Sequence, residues 1–305
     1  MRHSFANTIT KLAKINKKII LLSGDIGNKL FDNFKKNFPE RFINCGVAES
    51  NMTTFASGLA SQGYIPFTYT ISSFNVLKTI EQIKIDVCYQ NLPVVIVGVG
   101  SGLCYSNLGT THHSFEDYGL LNNIPDLQIV CPCDPKELEI LLPQIIKSKK
   151  PTYLKIGKKN EVNITEYDYK TKLGKLKRVR KGNKICIFSY GNIINNIINS
   201  KKYLKKKISP EIINVSTLYP LNKKNIVRCL KKFKKIMIIE EHLENTGLTN
   251  QIIAISISYN LRNTFSSISI KKKFIIGAGN ILQVRKKIGM DEKSIAKKIT
   301  KFYNT

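Results

Sequence analysis

Along the first half of the chain, short apolar runs alternate with segments in which apolar residues return every three or four positions. KKIILLSG (17–24), RFINCG (41–46), IPFTYTI (65–71), LPVVIVGVG (92–100), LQIVCP (127–132) and PTYLKIG (151–157) are β-rich and bounded by Gly, Pro or Asn, which predicts strands. Within RFINCG, the run Phe42 to Gly46 reads as a buried strand ending in a turn. The intervening stretches NMTTFASGLASQG (51–63), SFNVLKTIEQIKIDVCYQN (73–91), HHSFEDYGLLNNI (112–124) and DPKELEILLPQIIKS (134–148) predict helices. In the second of these, Val76, Ile80, Ile83 and Val87 recur at helical spacing and mark a buried stripe. Such alternation builds βαβ units around a parallel sheet.

From about 160 to 182 the chain turns polar and basic, reading as a linker that carries an extended hairpin or strand. A second series follows: KICIFSYG (184–191), a helix over 192–206, EIINVST (211–217), a helix over 222–233, KIMIIEEH (235–242), TGLTNQIIAISISYN (246–260), a strand near 266–275 and the C-terminal helix DEKSIAKKITKFYN (291–304). No internal repeat is visible. The expected fold class is α/β, with two domains (1–160 and 183–305, joined by the linker 161–182), each a largely parallel sheet flanked by helices.

Composition narrows the function classes. The 305 residues leave room for two cores, and 42% apolar with 9% aromatic content argues against global disorder. The longest apolar runs fall well short of the ~20 residues a membrane helix needs. The first residues, MRHSFANTITKLAKINKK, lack the apolar core and cleavage site of a signal peptide, so a cytoplasmic location is expected. Seven scattered cysteines without a CxxC predict reduced, mostly buried thiols and no zinc site.

A net charge of +28 invites a nucleic-acid reading. The lysines, however, come in short separate runs (Lys205 to Lys207, Lys231 and Lys232, Lys271 to Lys273). The joint enrichment of Ile, Asn and Lys fits an AT-rich genome writing on solvated faces. An anionic, phosphorylated substrate or an acidic partner subunit is the other source of such a charge; no nucleic-acid or membrane partner is expected.

Three stretches carry candidate chemistry. GDIGN (24–28) follows a strand but is not GxGxxG, and on its own reads as a strand-to-loop turn; no phosphate-binding P-loop occurs. GTTHHSFED (109–117) has two readings. Thr110 or Thr111 would cap a helix with Glu116 and Asp117 in its first turns. Alternatively, the loop after VVIVGVG lies at the carboxyl end of a parallel strand, where open α/β sheets bind ligands. Glu49, in FINCGVAESNM, stands at a helix start with no second carboxylate and no nearby histidine, where dipole chemistry alone would account for it.

Taken in order, GDIGN, GVAESNM, ISSFNVLKTIEQIKIDVCYQNLPVVIVG, GTTHH and IPDLQIVCPCDP resemble the pyrimidine-binding domain of the transketolase family. FSYGN, INVSTLYPLN and IIEEHLENTGL resemble that family's C-terminal domain. The likeness covers nearly the whole chain and is strongest to C-terminal subunits of split transketolases, including those similar to deoxyxylulose-phosphate synthase. It implies a partner for Glu49: the aminopyrimidine ring of thiamine diphosphate, whose ring nitrogen the glutamate hydrogen-bonds, favouring the tautomer that activates the thiazolium carbon. The resemblance further implies that Phe74 packs on the aminopyrimidine (its plainer reading is a core aromatic opening a helix). Asp25 would lie near the thiamine and sugar site, and His112 would hydrogen-bond the donor sugar near its carbonyl end. Lys158 stands where the family carries an arginine for the substrate phosphate, keeping the charge without the bidentate fork. Two positions depart from the family pattern. Leu108 replaces an acidic residue, and Gly100 stands where transketolases carry a substrate histidine and deoxyxylulose-phosphate synthases an arginine.

The family's GDG motif with its downstream Asn, which holds the diphosphate and Mg2+, is absent. The resemblance therefore implies half an enzyme: a separate N-terminal transketolase subunit would supply the Mg2+ and diphosphate site, in a two-fold heterotetramer acting on sugar phosphates. The expected reaction is transfer of a two-carbon ketol unit from a ketose to an aldose. Alternatives on the same fold are a deoxyxylulose-5-phosphate-synthase-like condensation and a 2-oxoacid dehydrogenase beta subunit, the latter disfavoured by GTTHH. Outside that class stand a basic nucleic-acid-binding protein and a non-catalytic scaffold.

Overall fold

Six of the expected strands line up in parallel: β1 (Ile19–Ser23), β2 (Phe42–Asn44), β3 (Ile65–Ile71), β4 (Val95–Val99), β5 (Gln128–Val130) and β6 (Thr152–Ile156). The computed structural model describes residues 1–27, 29–159, 161–164, 170–276 and 279–305. Asn28 of GDIGN, Asn160 at the expected domain boundary and 165–169 within the expected linker lie outside the described residues. Four further strands, β7 (Lys177–Arg180), β8 (Ile185–Ser189), β9 (Glu211–Asn214) and β10 (Thr217–Tyr219), precede β11 (Lys235–Leu243) and β12 (Thr264–Ile270). The first sheet runs β10-β5-β6-β4-β3-β1-β2 and the second β12-β11-β8-β9-β7.

Both sheets are parallel except at one edge each, where β10 pairs antiparallel with β5 and β7 antiparallel with β9. Strands β1, β3, β4 and β6 are buried on both faces, which is why they read as continuous apolar runs. The run at 42–46 departs from its expectation. Phe42 and Ile43 of β2 are half-buried and Asn44 is exposed, because β2 is the edge strand. The extended segment expected within the linker is β7, an edge of the second sheet.

Helices cover the first sheet on both faces. On one, Phe5, Ile9 and Ala13 of the helix Arg2–Ile15 and Leu138, Leu141, Leu142 and Ile145 of the helix Pro135–Ser148 pack with Phe67 and Tyr69. Asp134 caps the latter helix, its carboxylate accepting from the Glu137 N–H at 2.7 Å. On the other face, Met52, Ala56 and Ala60 of the helix Glu49–Ser61 join Val76, Ile83 and Val87. Ile80 of that predicted stripe is only partly buried. The single helix expected over 73–91 is broken into Ser72–Leu77, Ile80–Gln82 and a π-helical turn Ile83–Cys88, with buried Thr79 at the break.

The same apolar cluster continues into the second unit through Phe188, Val215, Leu218, Ile226, Ile236 and Ile252. Buried polar groups reinforce that seam. The Asp117 carboxylate takes hydrogen bonds from Lys155 Nζ (2.7 Å) and the Tyr153 hydroxyl (2.6 Å), and His242 Nδ1 stands 3.9 Å away. From EEH, Glu240 accepts from the Leu248 and Thr249 N–H groups at the start of the helix Leu248–Ser258, Glu241 pairs with Arg285 at 2.6 Å, and His242 Nε2 accepts from the Gly119 N–H at 3.1 Å. All seven cysteines are free, four of them buried.

Candidate active site at the carboxyl edge of the first sheet

Reading across the sheet from β6 through β4, β3 and β1 to β2, the carboxyl ends of the strands lead in turn to Lys158, to Gly100 with the loop of Tyr105 and His112, to Phe74, to Asp25 and to Glu49. Except for His112, which the loop after β4 carries back to the row, each follows its strand by a few residues, the usual place for ligand-binding side chains in parallel sheets.

Glu49 opens its helix and is only 3% exposed, since Met52 and Ala56 below it pull that helix onto the core. Its Oε2 is 3.3 Å from Lys78 Nζ, and the lysine side chain is 56% exposed. Lys78 also stands 5.4 Å from the centre of the half-buried Phe74 ring. Phe74 and Lys78 are one helical turn apart, so both address the same spot.

His112 lies edge-on to Phe74 with ring centres 5.1 Å apart. Its backbone forms a 3-10 turn, Thr110–His112, and the next helix is only Asp117–Leu121; this corrects the expected helix over 112–124. Neither threonine caps a helix. Thr110 Oγ1 donates to the Ile275 carbonyl at 3.3 Å, and Thr111 Oγ1 contacts His112 Nδ1 at 2.9 Å. Ser73 Oγ donates to the Thr111 carbonyl at 3.1 Å and fastens the turn beside Phe74. Burial, aided by the Lys158 ammonium, lowers the His112 pKa, so the imidazole is neutral at pH 7 and can donate from one nitrogen. The adjacent His113 is buried against Phe115 and takes no part in this row.

Beyond His112 comes Tyr105, its ring 5.9 Å from the imidazole and only 6% exposed, with Lys158 Nζ 4.0 Å over its centre. Burial and then the charges of Lys159 and Arg2 depress the Lys158 pKa. Arg2 Nε donates to the Lys158 carbonyl at 2.9 Å, placing a guanidinium beside the ammonium. Gly100 adopts φ +89°, and a Cβ there would lie 2.1 Å from Tyr105 Cδ2. No side chain fits at position 100 while that ring is in place. Leu108 is 47% exposed.

Asp25 stands apart from the row. It is exposed, has φ 55° and accepts a hydrogen bond from Asn44 Nδ2 at 2.9 Å across the neighbouring strand ends. Of the residues singled out from the sequence, Glu49, Phe74, His112 and Lys158 fall in this row and Asp25 does not, while Lys78, Tyr105 and Arg2, which the sequence did not single out, join it. The spacing of Lys78 from Phe74 was the available signal for the first. Arg2 heads an amphipathic helix whose stripe of Phe5, Ile9 and Ala13 was legible.

A buried carboxylate paired with a half-exposed lysine, next to a half-buried phenyl ring, suits a flat heteroaromatic ring bearing a nitrogen. The residues therefore fit the aminopyrimidine of thiamine diphosphate. Among the described residues, no cluster of three or more His, Cys, Asp and Glu could hold a metal.

Residues 1–162 match the family description "Transketolase, pyrimidine binding domain" and residues 174–295 match "Transketolase, C-terminal domain". A protein of Actinobacillus succinogenes, named as a subunit of apulose-4-phosphate transketolase, is 30% identical over 263 residues, 86% of this chain and 85% of that one. Its namesake in Phocaeicola vulgatus is 28% identical over 304 residues, 99% and 96% of the two chains. A solved structure described as a split gene transketolase, inactive beta4 tetramer, superposes with a TM-score of 0.88 at 22% identity, covering 99% of this chain and 97% of the other, a likeness of fold.

Proposed function

The chain belongs to the transketolase family, whose members depend on thiamine diphosphate, and is a transferase subunit of the split type; from that premise we propose the division of labour in its active site. The observation that carries the reading is the row itself, with buried Glu49 linked to Phe74 and His112 through contacts of 3.3 to 5.4 Å by way of Lys78.

When bound, the thiamine group supplies a carbon nucleophile able to cleave the bond beside a ketose carbonyl. Glu49 hydrogen-bonds the ring nitrogen and holds the proton there, and Phe74 offers its face to the same ring. Lys78, whose side chain is 56% exposed, pairs with the buried carboxylate and would be the group to yield that contact to the ring. Neutral His112 hydrogen-bonds the sugar near its carbonyl end. Lys158 and Arg2, two cations held side by side, attract the phosphate, and Arg2 restores the planar fork that lysine at 158 lacks. Asp25, which stands apart from the row, would lie near the thiamine and sugar site.

The transferred group is a two-carbon ketol unit passing from a ketose phosphate to an aldose. The names of the relatives make apulose-4-phosphate one candidate substrate. A separate N-terminal subunit would hold Mg2+ and the diphosphate, in a cytoplasmic heterotetramer. Among the described residues, no helix is long and apolar enough to cross a membrane.

Calorimetry of thiamine diphosphate with Mg2+ tests the scheme on the chain alone and on its complex with the N-terminal subunit. Little binding is expected alone and clear binding in the complex. Glu49→Ala should abolish ketose cleavage by that complex, a loss of at least the roughly hundredfold a positioned proton carrier contributes. Tight Mg2+-dependent binding by the lone chain would overturn the two-subunit division.

A further inference from the structure

The loop after β4 holds an exchange of side chains between two positions. Gly100 offers no side chain, and its φ of +89° disfavours one; the space its Cβ would enter is filled by the Tyr105 ring, 2.1 Å from that point. Tyr105 is buried, yet it touches both His112 and Lys158, with the His112 ring 5.9 Å away and the Lys158 ammonium 4.0 Å above its face. Burial raises its hydroxyl pKa, and the Arg2 guanidinium opposes the rise through charge and a hydrogen bond.

We propose that Tyr105 is a specificity-determining residue that gauges substrate length: its ring closes the recess beside Gly100 and fixes the span between His112 and Lys158, so that the site favours short sugar phosphates over long ones. The proposal rests on the assignment of His112 to the carbonyl end of the sugar and Lys158 to its phosphate. Both contacts run through a single rigid ring, so the distance between the two anchors is set by that ring and not by the flexible lysine stem. A longer chain would need the recess that the ring occupies. Excess length held between two fixed anchors is rejected by steric overlap, a more stringent filter than a loose apolar pocket.

The test compares kcat/KM for a five-carbon and a seven-carbon ketose phosphate in the two-subunit complex, for the wild type and for Tyr105→Ala, Tyr105→Leu and Tyr105→Phe. The leucine variant keeps most of the buried bulk should alanine impair folding. The ratio of long to short substrate should rise at least about tenfold with alanine, somewhat less with leucine, chiefly through a lower KM for the longer sugar. Phenylalanine keeps the ring and should leave the ratio in place. A merely structural role would lower both rates and leave their ratio alone. Cleavage that persists with the ratio unmoved in both the alanine and leucine variants would sink the gauge while leaving the transketolase reading intact. A wild-type complex that cleaves no ketose phosphate at all would sink both.

Discussion

His242 makes a sharp prediction about acid stability. Its imidazole is fully buried at the seam between the two units, with Nε2 accepting from the Gly119 N–H and Nδ1 3.9 Å from the Asp117 carboxylate. Burial first, and then the Lys155 ammonium, push its pKa down to about 3, while Asp117 pulls the other way. In the unfolded chain a histidine titrates near pH 6.5. Between these values the unfolded state binds a proton that the folded state refuses, so stability is fully present above about pH 6.5 and drains away as the pH falls toward 3. The slope is about 1.4 kcal/mol per pH unit for one proton, so moving from pH 7 to pH 5 should remove about 2 kcal/mol through this residue alone. His242→Gln keeps an acceptor for the Gly119 N–H and removes the titration. Urea unfolding of wild type and variant at both pH values, compared as the difference of differences, cancels the other titrating groups. The wild type should lose about 2 kcal/mol more than the variant over that interval. Equal losses in the two proteins would refute a neutral, proton-refusing His242.

Two further perturbations follow from the same structure. Lys155→Met leaves the Asp117 carboxylate buried without its cation and should cost about 3–5 kcal/mol in denaturant stability, with Asp117→Asn on that background recovering part of the loss; additive losses would mean the pair is not coupled. Gly100→Ala forces a side chain into φ +89° against the Tyr105 ring and should lower stability by about 1–3 kcal/mol by thermal unfolding, less when Tyr105→Leu makes room; an unchanged melting temperature would place the tyrosine elsewhere.

Much of the architecture was legible because parallel strands buried on both faces leave unmistakable apolar runs, as β3 and β4 do. Failures came where a residue answers to something distant. Thr217 closes EIINVST in the sequence, yet it begins β10, which pairs with β5 some ninety residues earlier in the chain, and no local pattern encodes that choice. The GTTHH stretch has helix-start chemistry, yet Asp117 is recruited by Lys155 and Tyr153 into a buried network, and the turn before it stays 3-10. At the candidate site, the order of motifs pointed to Glu49, Phe74, His112 and Lys158, which the structure brings into one row, and to Asp25, which stands apart from it. Tyr105 was invisible because the place of its ring beside the row depends on the missing side chain at Gly100, five residues earlier. Arg2 lies at the far end of the sequence from Lys158 and meets it only through the sheet. The basic runs at Lys205 to Lys207, Lys231 and Lys232, and Lys271 to Lys273 are all exposed, as solvated faces require.

Strand β10 has a consequence for how the two halves can be inherited. The chain leaves the second sheet at Asn214 and enters the first at Thr217, so the outermost strand of one sheet is spun from the thread of the other. A nick in the linker would cut the polypeptide without parting it, since β10 and the shared apolar seam would still clasp the fragments together. Either half transplanted by itself would arrive with a bare β5 edge or a stray strand. For recombination among relatives, the two sheets therefore form a single cassette.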